Sequence, residues 1–314
     1  MSPVPGSLAA PPPPRNPGGE LDLPWVLDAR VDADDASTAA EAVVAGSALP
    51  PADEIHALLR AISFIDLTTL SGDDTPERVR LLCDRARRPL APDLAARLGD
   101  IAPALHTASV CVYHHFLPVA KQALERTGIP VAVVSAGFPA GLSPLTQRID
   151  EVRASVEAGA DEIDAVINRS HVLTGEWEAL FAEVQAFREA CGDVHLKVIL
   201  ATGELGTLTS VARASRLCML AGADFIKTST GKEAVNATLP AGLAMLRAIR
   251  DYRALSGHVV GFKPAGGIRT PAQALEWMRL VETEVGEEWL RPELFRLGAS
   301  TLLGEIERRL EILA

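Results

Sequence analysis

The stretch GADFIKTSTGK, Gly222 to Lys232, closes a short apolar run with Lys227, followed by three hydroxyl residues, a glycine and a second lysine. An ammonium group is costly to bury alone, so a lysine where a strand enters a core needs a partner or a chemical use. The same oddity recurs on both sides. HLKVILATGEL places Lys197 inside a strand-like run, and VVGFKPAGGIRT places Lys263 after another, 36 positions beyond Lys227. That separation fits one helix and a loop between consecutive parallel strands, which would bring both lysines to one mouth.

Working outward, eight short apolar runs alternate with longer amphipathic stretches: AISFIDLTTL, ALHTASVCVY, IPVAVVSAGFP, ADEIDAVIN, HLKVILATG, ADFIKTST, HVVGFKPAGG and LFRLGASTL. Between them, Ile149, Val152 and Val156 recur at helical spacing, and Trp177, Leu180, Phe181, Val184 and Phe187 make one broad apolar face. Thr75-Pro76 and Thr270-Pro271 supply cap and first-turn residues for two of the helices. Eight strands separated by helices predict an α/β fold, a closed (β/α)8 TIM barrel; one misread boundary would leave a doubly wound open sheet. The barrel is expected over residues 55–314. Residues 21–54 read as a mainly helical extension, with helices in DASTAAEAVVAG and PADEIHALLRAI, and the proline-rich residues 1–20 as disordered.

With 30 basic against 41 acidic side chains, a net charge of -11 argues against nucleic acid or an anionic membrane as partner. A small anionic ligand remains compatible, because a local site need not follow the global field. The N-terminus lacks the pattern of a signal peptide, and no run of 18 apolar residues suggests a membrane span. Four scattered cysteines without a CxxC pair suit a reducing compartment, so the cytoplasm is expected; Cys111 and Cys218 read as small core residues. His114 and His115 are adjacent and the other histidines dispersed, so no metal site is expected.

In DEIDAVIN, alternation puts Glu162, Asp164, Val166 and Asn168 on one side and Asp161, Ile163, Ala165 and Ile167 on the other. Two carboxylates and an amide suit a barrel lumen near its open end, or else an outer face; alternation does not choose. Asp66, at the end of the first run, reads either as a turn or capping residue or as part of a site. Lys197 alone could snorkel to a rim or pair with an acidic residue. Three lysines on consecutive strands are harder to explain so. Neighbouring cations and desolvation both disfavour the ammonium form and leave an amine able to attack a carbonyl. That is the chemistry of a Schiff-base aldolase, with a carboxylate to take the hydroxyl proton and a second lysine to keep the first reactive.

Gly266 and Gly267 beside Arg269, and Gly298, Ser300 and Thr301 ahead of an amphipathic helix, are suited to cradle an anion after the seventh and eighth strands. TSTGKE is no nucleotide loop, since Ile226 stands where the first glycine of that motif belongs and Glu233 follows Lys232.

Taken in order, IDLTTL, DEIDAVIN, LKVILATGEL, ADFIKTSTGK, VGFKPAGGIRT and GAST resemble the deoxyribose-phosphate aldolase family over about residues 55 to 308. The resemblance implies a (β/α)8 barrel and reversible cleavage of 2-deoxy-D-ribose 5-phosphate to D-glyceraldehyde 3-phosphate and acetaldehyde, with no cofactor. It implies Lys227 as the Schiff-base nucleophile, Lys263 as the neighbouring amine that tunes it and Asp164 in proton transfer. Lys197, Asp66 and Thr230 are implied as supporting residues, and Gly266, Gly267, Gly298, Ser300 and Lys232 as the phosphate site. The expected partner is the small phosphorylated sugar, and a homodimer is compatible with the resemblance. Three departures stand out: Ala201 where many relatives carry an acid, Thr301 in place of a second serine, and a tail without the terminal tyrosine that some members use in proton transfer. An aldolase for another short sugar phosphate, and a silent sugar-phosphate-binding barrel, are the competing readings.

Overall fold

The computed structural model describes residues 13–45, 49–99 and 105–314. Among them eight parallel strands run in sequence order around a barrel: β1 (Ile65–Thr68), β2 (Ser109–Tyr113), β3 (Val131–Ser135), β4 (Glu162–Val166), β5 (His195–Ile199), β6 (Phe225–Lys227), β7 (Gly261–Lys263) and β8 (Leu297–Ala299). β8 pairs with β1, and the seam to β7 is closed by Phe262 N donating to Leu294 O, Arg296 N to Phe262 O and Gly298 N to Pro264 O. The open-sheet alternative is thereby excluded.

A helix follows every strand and packs back on the sheet. The capping signals act as expected: Thr75 accepts from Arg78 N, and Thr270 forms a reciprocal capping box with Gln273. Trp177, Leu180, Phe181, Val184 and Phe187 are all buried on one helix, Trp177–Cys191.

Strand alternation separates two environments. Leu67, Val110, Val112, Val131, Val133, Ile163, Ala165, Leu196, Val198, Ile226, Phe262 and Leu297 point outward and join the helices in one large core. Cys111, Ala132 and Val134 form a small cluster apart from it, with Leu70, on the lumen side. The row containing Glu162 and Asp164 therefore faces the lumen. The outer-face alternative for those carboxylates fails because Ile163 and Ala165 already occupy that side.

The chain ahead of the barrel departs from expectation. Residues 1–12 of the proline-rich stretch lie outside the described residues. Residues 13–20 are not the disordered tail that composition predicts. Asn16 is buried, its side chain donating to Met219 O and Ala223 O and accepting from the Tyr252 hydroxyl, while its backbone N–H meets Asp224. Both expected helices are present, as Ala33–Val44 and Pro51–Ile62, and a third, Leu23–Asp28, precedes them. Among the described residues no helix is long and apolar enough to cross a membrane.

Candidate active site

Beside its small apolar cluster the lumen of the barrel carries a charged one. Three lysines from β5, β6 and β7 converge on Asp164 of β4: Lys197 Nζ lies 3.0 Å from Oδ1, while Lys227 and Lys263 share Oδ2 at 2.8 and 2.7 Å. Lys263 also stands 2.5 Å from Asp66 Oδ2, and Lys197 contacts Glu162. Small residues make room. A Cβ on Gly298 would come within 3.3 Å of the Lys263 stem and 2.6 Å of Ala265, and a side chain at Gly261 would collide with the Phe225 ring. The strand ends thus contribute backbone where the lysine stems must pass.

Each charge state has a physical cause. Burial opposes ionisation of Asp164, but Lys197, Lys227 and Lys263 outweigh it and hold the carboxyl well below its usual range. Asp66 is lowered in the same way, Arg296 and Lys263 overcoming its burial. Lys197 and Lys263 are buried too, yet two carboxylates each keep them protonated above the ordinary lysine range. Lys227 moves in the opposite direction. Its burial, with Lys263 nearby, outweighs the pull of Asp164 and lowers its affinity for a proton.

Lys227 is also the one of these three that opens on solvent space. It lines a cavity of about 450 Å³ together with Thr68, Thr230, Lys232 and the backbone-rich segments 265–269 and 298–301. All five residues expected to hold phosphate, Gly266, Gly267, Gly298, Ser300 and Lys232, border this space. Gly266 and Gly267 adopt φ of +84°, a left-handed backbone that favours glycine, and the helix Leu302–Leu313 begins at the same wall with no side chain capping its first turn. In the loop after β6, Thr230 N and Gly231 N are already engaged by the Glu233 carboxylate, at 3.0 and 3.1 Å. This loop therefore offers an anion its side chains more than its backbone.

Of the expected supporting residues, Lys197 and Asp66 lie beneath the cavity, fully buried, and Thr230 stands on its wall. The turn or capping role open to Asp66, and the rim position open to Lys197, do not survive that burial. Ala201 is buried in a left-handed conformation, φ 56°. One charged residue escaped selection from sequence: Arg296, whose guanidinium bonds both Asp66 and Glu162, the latter placed in the lumen-facing row but given no role. Arg296 sits in the apolar run LFRLG just as Lys197 sits in HLKVIL. The same cue would have found it.

A family model described as DeoC/LacD family aldolase matches residues 60–288. The chain belongs to that family. It is 54% identical over 298 residues to the deoxyribose-phosphate aldolase of Homo sapiens, covering 94% of each chain. Its identity to the deoxyribose-phosphate aldolase of Mus musculus is 53% over 295 residues, covering 93% of each. The tetrameric deoxyribose phosphate aldolase from Aeropyrum pernix aligns with a TM-score of 0.59 at 22% identity, over 85% of this chain and all of that one, which bears on fold alone. Lys227 places a buried amine at the edge of a cavity of small-molecule size.

Proposed function

We propose that the chain cleaves 2-deoxy-D-ribose 5-phosphate reversibly to D-glyceraldehyde 3-phosphate and acetaldehyde through an imine on Lys227. The observation that carries this reading is the placement of Lys227: its amine joins the buried charge network below and faces the glycine-lined cavity above. The identity to aldolases of this name over nearly the whole chain supports the substrate.

The neutral amine of Lys227 attacks C1 of the open-chain sugar, and loss of water from the carbinolamine gives a protonated imine. Removal of the C3 hydroxyl proton, by Asp164 directly or through water, lets the C2–C3 electron pair flow into the imine as the bond breaks. Glyceraldehyde 3-phosphate leaves with the C3 carbonyl. The enamine on Lys227 is protonated at C2 and hydrolysed, releasing acetaldehyde and the free amine. Asp164 is suited to its part because it is anionic and its Oδ2 lies 2.8 Å from the Lys227 nitrogen on which the imine forms. Lys263 stays protonated and disfavours a second positive charge on Lys227. Thr230 and Lys232 on one side, and Gly266, Gly267, Gly298 and Ser300 on the other, receive the phosphate.

Four cysteines, all free and buried, fit action in the cytoplasm. A homodimer is carried over from the family resemblance. The substrate reading is tested by comparing turnover of 2-deoxyribose 5-phosphate, 2-deoxyribose and ribose 5-phosphate. The phosphorylated deoxy sugar should be turned over fastest; equal rates on all three would contradict it.

A further inference from the structure

Beneath Asp164 the lumen holds a second charged layer in which no substrate atom would sit. Arg296, just before β8, donates through Nη2 to Glu162 Oε1 at 2.7 Å and through Nη1 to Glu162 Oε2 at 3.2 Å. The same Nη1 reaches Asp66 Oδ1 at 2.6 Å. Glu162 in turn contacts Lys197, and His195 Nδ1 lies 3.7 Å from its other oxygen. The guanidinium also lies 5.9 Å from the centre of the Phe225 ring. Arg296, Glu162 and His195 are all buried, and His195, the least so, exposes only 8% of its surface.

With this layer included, the lumen contains four basic side chains, Arg296, Lys197, Lys227 and Lys263, and three carboxylates, Asp66, Glu162 and Asp164. His195 is held neutral by its burial and adds no charge at neutral pH. One positive charge is in excess, and a low-dielectric interior does not tolerate it. Arg296 cannot release its proton. Lys197 and Lys263 each touch two carboxylates, whereas Lys227 touches one, already shared. The lumen sheds its surplus at Lys227.

We propose that Arg296 and Glu162 are positioning residues for the aldol reaction: the arginine supplies the surplus charge that leaves Lys227 as the free amine, and the glutamate limits that surplus to one. The proposal rests on the imine reading of Lys227. Groups facing Lys227 are Asp164 on β4, Lys263 on β7 and the Cys111 thiol on β2; facing Glu162 are Arg296, Lys197 and His195; facing Asp66 are Arg296, Lys263, Lys197 and Glu162.

Opposite changes should therefore move the reaction in opposite directions. Arg296→Met leaves three basic groups against three carboxylates, so Lys227 keeps its proton and the acid limb of imine formation moves to higher pH. Glu162→Gln deepens the surplus and moves that limb to lower pH. Each shift should be on the order of one pH unit, the effect of one charge relayed through shared ion pairs in a partly polar interior. The double variant restores a surplus of one and should return to the parent midpoint. Arg296→Lys should keep it too, and serves if Arg296→Met does not fold.

The measurement is borohydride trapping of the Lys227 adduct with 2-deoxyribose 5-phosphate across a pH series, on variants whose circular dichroism matches the parent. Opposed shifts that cancel in the double variant support the pair's role. Shifts in one direction, or a folded Arg296→Met or Glu162→Gln with the parent midpoint, overturn it. An adduct that forms on the parent at Lys227 keeps the imine reading intact in that case, whereas no adduct on the parent defeats the imine reading itself.

Discussion

Lys227 and Lys263 are direct partners in the register between β6 and β7, and their amines meet at a single oxygen of Asp164. They differ in what else they touch. Lys263 has Asp66 at 2.5 Å, while Lys227 has the cavity. That difference holds the proton more tightly on Lys263 than on Lys227.

Replacing Lys263 with leucine removes a cation that disfavours protonation of Lys227. The amine then holds its proton more tightly, and the pH needed for imine formation should rise by about one unit or more. The pH dependence of borohydride trapping reads this directly. A profile identical to the parent's would deny Lys263 its tuning role.

Asp164→Asn keeps the shape of the side chain and removes its charge. Imine formation should persist, while the C–C bond-breaking step slows by roughly 100-fold or more, the scale of lost general acid-base assistance. Single-turnover kinetics separate the two steps. Normal turnover would take Asp164 out of the proton transfer.

The lumen carboxylates also set the acid stability. Asp66, Glu162 and Asp164 are all lowered in the folded protein. A depressed carboxyl contributes stability that is fully present above its unfolded pKa, near 4, and is lost as pH falls toward the folded value. The melting temperature should therefore hold from neutrality to about pH 5 and fall steeply below about pH 4. In Asp164→Asn that acid slope should be shallower. Equal slopes in parent and variant would show that Asp164 is not held below its ordinary range.

Lys232 is exposed at the cavity wall. Lys232→Met should raise KM for 2-deoxyribose 5-phosphate by about fivefold, the scale of a solvent-exposed ion pair, and leave KM for 2-deoxyribose unchanged. An equal rise for both sugars would mean that Lys232 does not meet the phosphate.

How much of this was legible depends on whether the signal was local. Eight apolar runs and two threonine-proline cap signals are short-range patterns, and the barrel followed from them. Lys197, Lys227 and Lys263 stood out because an ammonium in a strand is locally anomalous. The inward direction of Glu162 and Asp164 was not local: it emerged only when Ile163 and Ala165 were seen packed against helices. Arg296 carried the same anomaly as Lys197, but its meaning depends on Glu162, 134 positions earlier. Asn16 shows the limit most clearly. Among prolines it reads as part of a disordered tail, yet its partners lie 203 to 236 residues away, at Met219, Ala223, Asp224 and Tyr252. Composition near Asn16 contains no trace of them.

Every step of the proposed cleavage depends on a covalent bond between Lys227 and substrate. Incubating the protein with 2-deoxyribose 5-phosphate, reducing with borohydride and mapping the product by peptide mass spectrometry tests it most directly. One adduct is expected, on Lys227, and it should be lost in Lys227→Ala. An adduct on Lys263 or Lys197 instead, or none despite measurable substrate binding, would contradict it.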